Sequence, residues 1–172
     1  MKKMQRNYKT NSRKKKKPSR GQKSPAKLTI WEKKFSRKLR RYHKHFAKKV
    51  FHRLMKKSST LRSTLKRRSK EYEVEFNISL EEVRELLYKA YGRRCSYCEA
   101  RLLVSNMACD HIMPLSLGGN STPMNLQMIC HRCNTRKGPL THKNFKRLLT
   151  WLKHQDKDLE RYVLKKMSSR GF

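Results

Sequence analysis

Apolar residues recur at spacings of three or four between residues 28 and 56, and most positions between them are lysine or arginine. This period places the apolar residues on one side of a helix, so it predicts one long amphipathic helix. The stripe is suited to packing within the chain, to pairing with a second copy or to lying on a membrane surface. We favour packing within the chain or contact along a DNA backbone. Its members are Trp31, Phe35, Leu39, Tyr42, Phe46, Val50 and Leu54.

The pattern changes after this helix. Residues 57–70 are polar and basic, which predicts a connector that is helical in part, and we place the domain boundary there. Residues 71–76 alternate polar with apolar side chains, which is typical of a strand. Ser79 and Glu82 then have the spacing of a capping box, and Gly92 is suited to end the helix that this box begins. The apolar face of that helix is Val83, Leu86, Leu87, Ala90 and Tyr91.

The C-terminal half contains shorter elements. Residues 102–104 and 107–112 predict two strands that pair with each other, and residues 125–129 predict a further extended segment. The loop between the last two contains proline and glycine at four positions, which favours irregular structure. A short helix is predicted over 133–137. Two further helices, predicted within 141–168, would cover the back of this region.

Charge divides the chain into two parts. The net charge is +34. Residues 1–70 contain 29 lysine and arginine residues and one acidic residue, Glu32, whereas residues 71–172 contain 17 basic and 11 acidic residues. A polycation of this density repels itself and binds polyanions through phosphate contacts and counterion release. Nucleic acid is therefore the expected partner, with double-stranded DNA favoured.

The first 26 residues have few apolar side chains, so they predict a disordered basic tail. We expect four consecutive lysines there to contact nucleic acid: Lys14, Lys15, Lys16 and Lys17. No stretch approaches the roughly 18 apolar residues that span a membrane, and no apolar run follows Lys2 and Lys3. We expect a soluble protein of the cytoplasm that is not secreted and has no membrane partner.

Two C-x-x-C pairs bring four thiols into metal-binding spacing. Each pair lets two sulfur atoms reach one ion from a tight turn, and four thiolates close a tetrahedral zinc site. A redox dithiol or two disulfides are the alternatives. A saturated site has no open position for water, so this zinc would be structural. The predicted ligands are Cys95, Cys98, Cys130 and Cys133, while Cys109 is expected to be a small buried residue.

Three residues between and beside these cysteines are suited to hydrolysis. Asp110 offers a hard oxygen ligand for Mg²⁺ or Mn²⁺, and His111 can accept a proton near neutral pH. Asn134 directly follows the last cysteine, so the zinc site would hold its amide oxygen in place as a second ligand. One carboxylate and one amide leave most positions on the ion for water and phosphate oxygens.

This stretch resembles the HNH endonucleases of the zinc-knuckle branch, which have the ββα-metal fold. The resemblance rests on about a quarter of the chain. The matching motifs are Cys95-x-x-Cys98, Asp110-His111-Ile112-x-Pro114-Leu115-Ser116-x-Gly118-Gly119, Asn125-Leu126-Gln127 and Cys130-x-x-Cys133-Asn134-x-x-Lys137-Gly138.

The resemblance implies a role for each matching residue. His111 would be the general base, and Asp110 and Asn134 would hold the catalytic metal. Asn125 would hydrogen-bond within the loop and so orient His111. Lys137 would contact the scissile phosphate, and Arg136 beside it is a second candidate for that contact. The last motif position is Asn134 rather than histidine, which disfavours Ni²⁺ or Zn²⁺ in the catalytic site.

These observations together predict an α+β protein. A ββα-metal core with a Cys₄ zinc knuckle would be flanked by helices and preceded by a basic, partly disordered extension with one long amphipathic helix. The predicted divisions are a tail over 1–26, a helical extension and linker over 27–70, and a nuclease domain over 71–172 with its core at 95–138.

The predicted function is metal-dependent DNA cleavage by an enzyme of the phage or mobile-element type. A monomer would nick one strand, and a homodimer or a phage packaging partner would be needed for a double-strand break. The alternative is a non-catalytic zinc-knuckle protein that binds nucleic acid.

Overall fold

The computed structural model describes residues 30–39 and 44–169. The predicted basic tail over 1–26, with its four consecutive lysines, lies outside these residues. Two short 3₁₀ turns, Leu115–Leu117 and Pro123–Asn125, lie in the loop that joins the two strands. The helices and strands of the described residues are α1 (Ile30–Leu39), α2 (Lys44–Glu71), α3 (Leu80–Ala90), β1 (Met107–His111), β2 (Leu126–Cys130), α4 (His131–Lys137), α5 (His142–Lys153) and α6 (Lys157–Ser168).

The centre of the fold is a two-stranded antiparallel sheet followed directly by a helix. Met107 of β1 pairs with Cys130 of β2, and Asp110 pairs with Gln127. α4 begins at the residue after β2 and contacts both strands. This arrangement confirms the predicted ββα core and both of its strands.

The strand predicted over residues 71–76 is wrong. α2 ends at Glu71, and the chain then turns through Glu73, whose φ of 53° is left-handed. The backbone N–H of Val74 donates to Ser69 O at 3.0 Å, which closes the helix end. Phe76 forms only an isolated bridge with Ser121. The turn covers Tyr72 and Glu73, and Val74 and Phe76 are half-buried beyond it. The alternation of polar and apolar residues therefore reflects one buried side of a segment whose single bridge does not make a strand.

The strand predicted over 102–104 is also wrong, and it does not pair with β1. The backbone N–H of Met107 donates to Leu103 O at 3.0 Å, and the side chain of Asn106 accepts from Leu103 N–H at 2.7 Å. These bonds close a tight turn immediately before β1, so the run cannot extend beside it. Its apolar character comes from burial, since Leu102 is inside the core.

α2 differs from the predicted connector. It continues as one helix through residues 57–70 and packs on α3. Ser58, Leu65 and Ser69 are buried along it. Ser58 Oγ donates to Met55 O at 2.7 Å, so this serine meets its hydrogen-bonding need within the helix. Polar composition is a poor guide here, because small serines that satisfy their own hydroxyl groups can face a core.

The N-terminal apolar stripe is divided between α1 and α2. Val50 and Leu54 are buried in the core, which confirms packing within the chain for these two residues, whereas Phe46 is exposed. Tyr42 and the side chains of Trp31, Phe35 and Leu39 lie outside the described residues.

Local helix signals match the structure. Glu82 N–H donates to Ser79 Oγ and Ser79 N–H to the Glu82 carboxylate, which completes the predicted capping box. Gly92 has a φ of 79° just beyond α3, a conformation that favours glycine. Thr141 caps α5 through its hydroxyl oxygen. In the described part of the chain, no helix is both long enough and apolar enough to cross a membrane.

Candidate active site

The four cysteines of the two C-x-x-C pairs meet at one point beside the sheet. Their Sγ atoms all lie within 4.8 Å of one another. A Zn–S bond of about 2.3 Å in a tetrahedral site requires sulfur atoms about 3.8 Å apart, so the arrangement fits a zinc ion with small adjustments. The members are Cys95, Cys98, Cys130 and Cys133, the set that the sequence predicts.

The thiols in this cluster are not equivalent. A hydrogen bond from the Cys133 thiol, opposed by burial and aided by backbone N–H groups, lowers the pKa of Cys95 to about 4. The same contact and burial raise the pKa of Cys133. The cluster therefore already stabilises one thiolate, which is the form that binds zinc.

The carboxylate of Asp110 is buried and held on both oxygens. Lys137 Nζ lies 2.9 Å from Oδ1, and Gln127 Nε2 donates to Oδ2 at 2.8 Å. Gln127 reaches it because the two residues are opposite each other in the sheet. Burial raises the pKa of Asp110, while the hydrogen bonds from Lys137 and Gln127 lower it.

Gln127 belongs to a wider network. Its amide donates to Tyr97 Oη at 2.9 Å, and Tyr97 Oη is hydrogen-bonded to His142 Nδ1 at 2.8 Å. Burial lowers the pKa of His142 and raises that of Tyr97 to about 12. This network connects the first knuckle and the start of α5 to Asp110.

Two basic residues that were predicted to contact a phosphate are bonded to other residues of the protein. They are Lys137 and Arg136. Lys137 is only 1% exposed, and its ammonium group donates to Asp110 and, at 2.8 Å, to the carbonyl oxygen of His111. It holds the strand end and the carboxylate together. Arg136 points towards α6, where its Nε donates to Ser168 Oγ at 2.9 Å. In the described residues, both basic groups are thus bonded to protein partners.

His111 ends β1 with its ring buried against a serine. Its Nε2 atom lies 2.9 Å from Ser121 Oγ, and Ser69 of α2 donates to the same Oγ at 2.6 Å. Burial, followed by the positive charges of Arg68 and Lys137, lowers the pKa of His111 to about 4. The imidazole is therefore neutral at pH 7 and has a lone pair on one nitrogen.

Asn125 ties together the two ends of the loop that follows His111. Its amide oxygen accepts from Met113 N–H at 2.8 Å, and its amide nitrogen donates to Met113 O at 3.0 Å and to Asn120 O at 2.8 Å. Gly119 allows this closure, because a Cβ atom there would overlap the carbonyl oxygen of Met113. These bonds match the loop contacts that we expected of Asn125.

One cleft of about 460 Å³ brings the candidate catalytic residues together. Asp110, His111 and Asn134 line it, and Cys109 does so as well. Among the residues that the structure describes, no hydrogen bond is formed by the side-chain amide of Asn134. Its oxygen is therefore available to a ligand in the same space as Asp110.

Several residues that form this site were not predicted from the sequence. Arg68 and Tyr72 of α2 line the cleft, and Ser121 and Gln127 hold its two central side chains. Gln127 belongs to the motif Asn125-Leu126-Gln127, but no function was predicted for its side chain. The alternation of β1 and β2 offered a signal for it, because a polar residue on a strand can face a polar partner across the sheet. Arg68 and Ser121 carried no such signal.

Comparisons with known proteins agree with this geometry. Residues 95–150 match the model of the HNH endonuclease family. A stretch of 46 residues is 44% identical to the CRISPR-associated endonuclease Cas9 of Corynebacterium diphtheriae, covering 26% of this chain and 4% of that protein. The chain thus corresponds to a small fraction of this relative's length.

The matched region begins at the first knuckle cysteine and contains the whole ββα core. It also contains Asp110, His111 and Asn134, which share the cleft. The family match and the cleft therefore coincide on the same residues. Residues 95–150 are similar to the HNH endonuclease family, and the four-cysteine knuckle among them is suited to zinc.

Proposed function

We propose that this protein is a metal-dependent endonuclease that hydrolyses phosphodiester bonds of double-stranded DNA. The observation that carries the proposal is the shared cleft of Asp110, His111 and Asn134, which combines a neutral imidazole with two hard oxygen donors. Such a set suits the activation of water beside a phosphate.

His111 is the general base in this proposal. In the tautomer whose Nε2 proton is donated to Ser121 Oγ, the lone pair is on Nδ1, and this nitrogen takes the proton of the attacking water. The buried Ser69–Ser121 pair keeps the ring in one orientation. Lys137 supports the same geometry, because it binds the carbonyl oxygen of His111.

Asp110 and Asn134 are the residues that would hold a catalytic divalent cation. Each carboxylate oxygen of Asp110 accepts one hydrogen bond and keeps a further lone pair, and the Asn134 amide faces the same cleft. Oxygen donors of this kind suit Mg²⁺ or Mn²⁺. Such an ion supplies charge stabilisation for the phosphate and the leaving oxygen. The Lys137 ammonium beside Asp110 weakens the attraction for the ion, so we expect modest affinity.

The charge of +34 supports nucleic acid as the substrate. One cleft per chain acts on one strand, so a monomer would nick, leaving a 3′-hydroxyl and a 5′-phosphate as the family resemblance implies. A double-strand break would need a homodimer or a partner such as a phage packaging protein. The protein would then act in the cytoplasm of a cell that carries a phage or mobile element.

The second candidate is a zinc-knuckle protein that binds nucleic acid without cutting it. The observation in its favour is the ion pair between Lys137 and Asp110, which already neutralises the carboxylate that would bind a catalytic ion.

Incubation of the purified protein with supercoiled plasmid separates these candidates. Nicking is expected with Mg²⁺ or Mn²⁺ and none with EDTA. His111→Ala should lose at least about 10²-fold in rate while its circular dichroism and DNA affinity stay the same. His154→Ala, an exposed histidine at the end of α5, serves as the matched control. Tight binding with no nicking under either ion would favour the second candidate.

A further inference from the structure

The end of α2 is hydrogen-bonded to the loop between β1 and β2 (residues 112–125, the catalytic loop below), although α2 lies outside the matched region 95–150. Ser69 Oγ donates to Ser121 Oγ, and the two side chains are 1% and 0% exposed. The segment after α2 adds two backbone bonds, from Ser121 N–H to Glu75 O at 2.8 Å and from Asn77 N–H to Ser121 O at 3.1 Å. The helix end therefore has a defined position relative to His111.

Arg68 precedes Ser69 on this helix and faces the cleft. It lines the same space as Asp110, His111 and Asn134. The arginine side chain is exposed to solvent, and a ligand can reach it.

Arg68 also differs from Arg62 and Arg67 of the same helix in having no side-chain partner. Arg67 forms an ion pair with Glu71, and Arg62 donates to Ile78 O at 3.0 Å. Lys137, the other lysine or arginine that lines the cleft, is buried against Asp110. In the ranges 30–39 and 44–169, Arg68 makes no side-chain hydrogen bond or ion pair. A guanidinium group in this state presents up to five N–H donors.

We propose that Arg68 binds the scissile phosphate in the cleft, so that α2 completes the active site of the HNH region. A planar guanidinium group matches two phosphate oxygens at once and keeps its charge at every working pH. Lys137 is buried and already donates to Asp110 and to the carbonyl oxygen of His111, so its ammonium group is not free to take this place. The inference rests on the proposed nuclease function and assigns the phosphate subsite within it.

Three variants test this inference: Arg68→Ala, Arg68→Lys and, as the matched control, Arg67→Ala. Arg67 is adjacent and equally charged but is paired with Glu71 and does not line the cleft. Nicking is measured at saturating plasmid. Binding of a short duplex in EDTA is measured as a function of salt concentration.

Arg68→Ala should nick about tenfold more slowly or worse, and the slope of log affinity against log salt should fall by about 0.9. Arg68→Lys should keep the slope and recover only part of the rate, because an ammonium group does not bind two oxygens in parallel. Arg67→Ala should nick within about twofold of the unmodified protein, since an exposed, paired cation contributes little.

The two readouts separate this inference from the function it rests on. If the unmodified protein does not nick at all, the proposed function fails, and the salt slope alone then decides the role of Arg68. Nicking by Arg68→Ala at the unmodified rate, or a slope equal to that of Arg67→Ala, would overturn the inference. Should Arg68→Ala lose helical circular dichroism, the comparison of Arg68→Lys with Arg67→Ala decides it.

Discussion

The zinc knuckle and the cleft share α4 but differ in how their side chains are held. Four like ligands form the knuckle, and each pair is separated by only two residues in the chain. In the cleft, each central residue is held by a partner from a different element: Asp110 by α4 and β2, and His111 by the loop and α2. The knuckle is a repeated local motif, whereas the cleft is an assembly of long-range contacts.

Because of this difference, substitutions should affect the two regions in different ways. The knuckle would lose its function through any one ligand, because four-coordinate zinc tolerates no missing sulfur without a large cost. The cleft depends on several neutral or paired contacts whose individual contributions are smaller. Substitutions in the two regions should therefore differ in size and in what they remove.

The largest effect is expected for Cys130→Ser in the knuckle. Loss of one ligand should release the ion, and structural zinc contributes on the order of 10 kcal/mol to folding in small domains. We expect no stable fold by circular dichroism and no bound zinc by a colorimetric assay. Cys109→Ser is the control, because Cys109 lies outside the four-sulfur cluster. A normal melting curve for zinc-free Cys130→Ser would contradict a structural role for the ion.

Lys137→Ala should produce the next largest effect. It leaves the carboxylate of Asp110 buried without its cation, and breaking a buried pair in this way costs about 3–5 kcal/mol. Urea denaturation measures the loss. Lys153→Ala, on the exposed face of α5, should change the free energy of unfolding by less than about 0.5 kcal/mol. Equal stability of the two variants would show that the pair does not hold the cleft together.

Asn125→Ala should reduce both stability and cleavage. It removes three hydrogen bonds that join the ends of the catalytic loop, each contributing about 1 kcal/mol. The freed loop lets His111 move, so we expect nicking to fall by about tenfold or more. Asn144→Ala, whose side chain is exposed on α5, is the control. A rate within twofold of the unmodified protein would argue against an orienting role for Asn125.

Ser69→Ala should have the smallest effect of the four. It removes one buried donor from Ser121, which corresponds to about 1 kcal/mol of stability. Because α2 and the loop keep their backbone bonds, we expect nicking to fall by less than about tenfold. Ser63→Ala provides the comparison, since Ser63 bonds only to its own helix at Ser59 O. Complete loss of nicking in Ser69→Ala with an intact fold would place Ser69 nearer to the chemistry than we propose.

Sequence patterns predicted elements whose causes are local. The capping box of Ser79 and Glu82 and the thiol spacing of the knuckle each depend on residues a few positions apart. Motif order also placed Asp110, His111 and Asn134 in one site, and the structure has all three in one cleft. The roles assigned to them remain predictions.

Patterns failed where burial and pairing come from distant parts of the chain. The polar run 57–70 is helical throughout, and it buries Ser58, Leu65 and Ser69 although its composition is polar. The segment 71–76 turns at Tyr72 and Glu73, and Phe76 meets the distant Ser121 through a single bridge, so the segment forms no strand. Lys137 was expected at the phosphate, but the buried carboxylate of Asp110 is the stronger attraction for its charge.

Residue types and spacing are enough to predict four cysteines suited to zinc, a histidine between oxygen ligands and a charge suited to a polyanion. The cation that faces the cleft could not be predicted in this way, because it depends on the tertiary structure. Lys137 is buried in an ion pair with Asp110. Arg68 is distant in the chain, but it lines the cleft because α2 packs beside it. Residue types and spacing specify local ligand sets, but the choice among many similar cations depends on three-dimensional packing, which no local pattern encodes.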